Sequence, residues 1–148
     1  MEENNMKTIR KSIFETNSSS THSVSIDETG TNYGSITPDS DGNIVLEGGE
    51  FGWKEESHRD PLIKANYCAI DQFGNEKNIE MLKKVLIDQT GATNVIFDFS
   101  INCAGHKNWS WIDHQSAGIS NDAFESEETL RNFIFSKYSI LHTDNDNH

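Results

Sequence analysis

Three polar stretches of this chain hold the residue types that chemistry needs. The first, FETNSSSTHSVSI (residues 14–26), sets Glu15, Thr16, Asn17, Ser18, Ser19, Ser20, Thr21 and His22 between apolar ends. Hydroxyl, amide and imidazole groups both donate and accept hydrogen bonds, so such a loop can surround a phosphate, a ribose or a base edge. Serine beside histidine also admits a nucleophile-and-base reading, although no GxSxG-like elbow supports a serine hydrolase. A Ser/Thr turn that satisfies its own backbone is the plainer alternative.

The second stretch, GGEFGW (residues 48–53), has glycines that permit unusual backbone angles or close approach by a ligand. Phe51 and Trp53 offer faces on which a base can stack, and Glu50 can accept from a base or ribose. A glycine-broken hairpin whose aromatics fill the core fits the same residues. The third, WSWIDHQS (residues 109–116), puts Asp113 and His114 at the end of an expected strand, with Gln115 next to them. Here His114 with a carboxylate makes an acid/base pair. A metal reading would join His22, Asp113, His114 and Glu50 around an activated water, but the chain has no HxxxH or HxH pair, so no metal site is assigned and no cofactor is named. His58, His106, His142 and His148 look incidental. Cys68 and Cys103 belong to no metal-type cluster and read as reduced cysteines in or near the core.

The elements that must position these groups follow from periodicity and punctuation. Residues 7–14 and 22–26 read as strands, the second with His22, Val24 and Ile26 on one face and Ser23 and Ser25 on the other. Residues 27–42 form a loop. Short strands are expected at 43–46 and 50–53. A helix capped by Asp60, with Pro61 at its first position, carries an Ile63/Tyr67/Ile70 stripe and is ended by Gly74. A second helix spans 77–90, with Ile79, Leu82, Val85, Leu86 and Gln89 along one side and Gly91 beyond its end. The clearest strand is 93–101, where Val95, Phe97 and Phe99 face one way. A strand at 109–113, a polar loop through Asp122, a helix beginning at Ser126 and a last strand at 138–142 complete the order. The pattern predicts a single α+β domain over 7–142: an antiparallel or mixed sheet, a helix pair on one face and a third, C-terminal helix, between tails at 1–6 and 143–148.

Composition excludes several classes. With 148 residues the chain suits one core. No apolar run approaches a membrane span, and the N-terminal segment has no apolar region of a secretory signal, so a cytosolic protein is expected. A formal charge of -12 disfavours tracking of duplex nucleic acid. The one basic run, Lys7, Arg10 and Lys11, stands directly ahead of the first polar stretch.

Taken together, KTIRKSIFETNSSSTHSVSI at residues 7–26, the GEFGW segment and IDHQS at 112–116 resemble a family of uncharacterised proteins from bacteriophages and mobile elements of Gram-positive bacteria. The resemblance implies that the three segments converge in space. It implies a phage-encoded accessory protein that counters host defence; the hydroxyl-rich loop beside the glycine–aromatic and Asp-His segments points to a small phosphate-bearing ligand, expected to be a nucleotide, in their joint pocket. Arg10 would hold the phosphate bidentately. Asn17, Ser18, Ser19, Ser20, Glu50 and Gln115 would supply hydrogen bonds, and Phe51 or Trp53 would stack. An alternative is a nucleotide- or nucleic-acid-directed hydrolase or transferase, with His22 and His114 as acid and base oriented by Glu15 or Asp113. A third reading is an acidic inhibitor of a host defence nuclease. The helix pair leaves room for a homodimer.

Overall fold

The computed structural model describes residues 6–9, 23–27, 29, 32–51, 56–101, 109–112 and 119–143. Within them the helices begin and end where local chemistry dictates. Helix α1 (Pro61–Asp71) is capped by Asp60, whose carboxylate accepts from the Ile63 N–H at 3.1 Å. Helix α2 (Glu76–Thr90) is capped by Asn75 and stops at Gly91, which has φ 79° and donates its N–H to Ile87 O. Helix α3 (Glu127–Phe135) is capped by Ser126, which accepts from Thr129 N at 3.0 Å, and carries two glutamates in its first turn. A 3-10 helix (Ile119–Glu125) occupies part of the expected polar loop. It is bound in place by the end of α1: Gln72 Nε2 donates to Ser120 Oγ at 2.9 Å, and Asp71 Oδ2 accepts from Ser120 N at 3.0 Å.

The fold is α+β, but its strands form more than one sheet. The first is antiparallel, in the order β1 (Met6–Ile9), β2 (Ser23–Asp27), β9 (Ile140–Thr143), β5 (Glu56–His58). Strands β1 and β9 reach residues 6 and 143, just inside the stretches expected as tails. A parallel pair joins β3 (Asn43–Leu46) to β6 (Asn94–Phe97). A parallel trio follows in the order β4 (Glu50–Phe51), β8 (Trp109–Ile112), β7 (Ser100–Ile101). The strand expected over 93–101 is thus two strands, with a physical cause. Asp98 N–H still donates to Leu46 O at 2.9 Å, and beyond that bond the two courses of chain part to admit β8 between them.

The crotch of this fork admits no side chain at position 48. Gly48 has φ +84°, and a Cβ there would fall 1.7 Å from Ser110 Oγ. Gly48 N–H donates to Asn66 Oδ1 at 2.8 Å and Gly49 N–H to the buried Ser110 Oγ at 3.0 Å.

One buried cluster unites the layers, including Val24, Ile26, Leu46, Tyr67, Leu86, Phe133 and Leu141. Helix α1 packs on β3 and β8, α2 on β6, and α3 on β2 as well as on both other helices. Every α1 residue from Lys64 to Ile70 is buried, whereas Ile63 is 36% exposed. The helix is therefore enclosed rather than striped, and Ile63 is not the core position that its spacing predicts.

The enclosed face includes a lysine. Lys64, with no exposed surface, donates from Nζ to Ser136 O at 2.9 Å and Ser139 O at 2.8 Å and lies 5.6 Å from the Phe133 ring centroid. The same turn meets Asp27, whose Oδ2 accepts from Ser136 Oγ at 2.8 Å and whose N–H donates to Ser139 Oγ at 2.8 Å. Asp27 Oδ1 accepts from Thr29 N and Oγ1 at 3.0 and 2.7 Å. Burial pushes the Asp27 carboxyl up, but the hydrogen bonds from Thr29 and Ser136 outweigh it and leave it below its ordinary value.

Burial pulls Lys64 down to about 7 from its ordinary 10.5. A neutral amine keeps two N–H donors, enough for both carbonyls. Between those two values the unfolded chain binds the extra proton, so the contribution of Lys64 to stability rises with pH above about 7 and levels off past about 10.5. Urea unfolding followed across this window will show that rise, and Lys64→Met will lack it; a wild-type profile no steeper than that of the variant contradicts the assignment. At the fork, Gly48→Ala is expected to cost about 3 kcal/mol, from the left-handed backbone and the forced contact with Ser110 together. Adding Ser110→Ala will recover part of that loss in the same assay.

Candidate functional site

The second and third polar stretches lie on neighbouring strands. Glu50 stands opposite Trp111 and Phe51 opposite Ile112 in the β4–β8 register. Because the two strands run parallel, both reach their C-terminal ends at the same edge. In parallel sheets that edge is where ligands are held, since the loops leaving it are free to diverge around a bound molecule. Trp53, Asp113, His114 and Gln115 follow these strand ends in sequence and lie outside the described residues.

Of the described members, Glu50 is exposed and Phe51 is not. The Phe51 ring is 9% exposed and meets Tyr67 edge-on at 5.0 Å and His58 at 6.0 Å between centroids. Stacking a base on it would require the ring to leave both neighbours. The glycine pair is turned inward as well, since its two N–H groups are taken by Asn66 and Ser110. Gly48 answers a steric demand of the fork, and neither glycine offers an N–H cradle to an anion.

The first stretch is described from Ser23 onward; Arg10, Glu15, Asn17, Ser18, Ser19, Ser20 and His22 lie outside the described residues. Val24 and Ile26 are fully buried and Ser25 is partly exposed, as the alternation predicts, whereas Ser23, on the same face as Ser25, is buried. Ser23 stands opposite His142, and His142 opposite Ser57, so three polar side chains share one face across β2, β9 and β5. Ser57 Oγ and His142 Nδ1 are 3.1 Å apart. A hydroxyl hydrogen-bonded to an imidazole can position a phosphate oxygen or pass a proton. By sequence alone His142 looks incidental and nothing singles out Ser57. The signal was the alternation of ILHT, but its meaning needs the β5–β9 register, which sequence spacing does not supply.

The three stretches therefore share a scaffold without meeting in one described pocket. Residues 52–55 link β4 directly to β5, and His58 on β5 touches Phe51. His58 stands opposite Leu141 on the core side of the sheet, whereas Ser57, His142 and Ser23 lie on the other side.

Among the described residues no group of three His, Cys, Asp or Glu side chains is gathered to hold a metal ion. Cys68 is a free, buried thiol that burial pushes above its ordinary value, and Cys103 lies outside the described residues. No described helix is long and apolar enough to cross a membrane. Comparisons with protein-family models, with curated proteins and with solved structures find no match.

The packing of Phe51 sets a clear expectation. Phe51→Ala will destabilise the fold by about 3–5 kcal/mol in chemical denaturation, and Phe51→Leu by distinctly less. A loss under about 1 kcal/mol for the alanine variant would mean that the ring is not held by Tyr67 and His58.

Proposed function

We propose that the chain is a phage-borne accessory protein that binds a small phosphate-bearing ligand, a nucleotide in the first instance, at the shared edge of β4 and β8. One observation carries the reading: two sequence stretches rich in hydrogen-bonding and aromatic groups, whose paired residues Glu50 and Trp111 are 61 positions apart in the chain, are laid side by side with their C-terminal ends together. In this reading Glu50 accepts from the base or ribose, Trp53 stacks, and Arg10, Asn17 and the serines at 18–20 hold the phosphate. Phe51 serves as the floor rather than as the stacking face, because its ring is already committed to Tyr67 and His58. The role in countering host defence rests on the resemblance to phage and mobile-element proteins.

A second reading, turnover of a nucleotide or nucleic acid by a hydrolase or transferase, is favoured by the Ser57–His142 hydrogen bond. It adds His142 to His22 and His114 as a candidate acid or base.

Mass spectrometry of the small molecules released on denaturing protein purified from phage-challenged cells tests the first reading. A stoichiometric nucleotide is expected with the wild type and absent from a folded Asn17→Ala/Ser19→Ala/Glu50→Ala variant. An empty wild-type protein, or a ligand that the variant keeps, overturns it. A chemically altered product that disappears in His142→Ala moves the second reading to first place.

A further inference from the structure

The turn between α1 and α2 forms a pocket remote in sequence from all three polar stretches. Its volume is about 490 Å³, and Phe73, Gly74, Glu76, Ile79 and Glu80 line it. Phe73 is 52% exposed, and its ring leans on the buried Phe99 with 5.4 Å between centroids. The ring is thus fixed from behind and bare in front. Gly74, at φ +99°, has no atom within 4 Å of where a Cβ would stand, so the turn leaves the rim open.

The charges on this rim select the occupant. Glu76 and Glu80 are four residues apart on α2, on one face, where like charges repel. Lys83 meets Glu80 at 3.2 Å, yet 71% of the Glu80 side chain remains exposed. An anion would be repelled here, and a purely apolar group would strip water from the glutamates without replacing it. A cation on an apolar stem satisfies both parts of the lining: the stem covers Phe73 and Ile79, and the charge meets the ring face and the carboxylates.

We propose that this pocket docks a basic partner protein by taking one of its arginine or lysine side chains. The stem lies along Phe73 and Ile79, and the cation sits between Glu76 and Glu80. The formal charge of -12 on the chain draws such a partner in, and the pocket gives the diffuse attraction a fixed point. The docking surface is independent of the ligand reading, since it shares no residue with the edge of β4 and β8.

An amphipathic Arg/Leu peptide and a Glu/Leu counterpart serve as probes, titrated into the full chain by calorimetry and by amide chemical-shift mapping. The Arg/Leu peptide is expected to bind, to shift the amides of Phe73, Gly74 and Ile79 most, and to weaken with added salt. Phe73→Ala and Glu76→Gln/Glu80→Gln should each raise Kd about tenfold. Glu47→Gln/Glu128→Gln, which removes two charges at exposed positions elsewhere, should leave Kd within about twofold. Equal losses in both glutamate pairs, shifts centred elsewhere, or equal binding of the Glu/Leu peptide would overturn the proposal.

Discussion

An amine buried without surface must find acceptors, and in this protein the acceptors are the two carbonyls of a single turn. Lys64 reaches from α1 to Ser136 O and Ser139 O and so fixes the passage from α3 into β9. Asp27 grips the same turn from the end of β2 through Ser136 and Ser139. Tyr33 adds a hydroxyl bond to Asn132 Oδ1 on α3. Removing either Lys64 or Asp27 would leave polar groups of the turn unanswered in the interior, which costs more than the bonds themselves contribute. Because β9 separates β2 from β5, the placement of this turn decides the alignment of the whole antiparallel sheet, and with it the row of Ser23, His142 and Ser57.

The parallel strands depend on a different constraint, one of volume. Strand β8 enters only where β3 and β6 have parted, and Ser110 fills the point of entry so closely that Gly48 has no room for a side chain. Asn66 on α1 closes the arrangement by accepting from Gly48 N–H while its amide donates to Leu62 O. Helix α1 thus touches both constraints, through Lys64 toward the antiparallel sheet and through Asn66 toward the fork. The two polar side chains lie two residues apart on one buried helix, which makes α1 the member that relates the two groups of strands.

Much of the local structure could be read from the sequence because its causes are local. Asp60 before Pro61, Gly91 after Thr90 and Ser126 before two glutamates each mark a helix boundary through a bond or a backbone angle spanning a few residues. The alternation of Val24 and Ile26 with Ser23 and Ser25 likewise announced a strand with a buried apolar face, although the burial of Ser23 on its other face was not announced. What escaped was non-local. A lysine in a helix reads as solvent-facing until its acceptors, more than seventy residues away, are known. The entry of β8 is invisible in the apolar run of 93–101, which carries no breaker at Asp98. GGEFGW was legible as a turn with packed aromatics and equally as a binding loop; the contacts of Phe51 and the glycine N–H groups decide for packing at those positions. Ser57 and His142 became neighbours only through strand register.

The position of β9 also bears on how the chain reaches this fold. The strand that lies between β2 and β5 is the last of the described strands in chain order, and its partners precede it by more than eighty residues. On the ribosome, β2 and β5 must wait for residues 140–143 to emerge before either can be bridged to the other. Until then Val24 and Ile26 have no Leu141 beside them, and the early strands present unpaired edges. Contacts of such sequence separation close slowly. The antiparallel half of the molecule therefore assembles after translation has passed Thr143, while α1 and α2, adjacent in the chain, can pair earlier. Nascent chains stalled short of that point are the form most exposed to holdase chaperones and to association with one another.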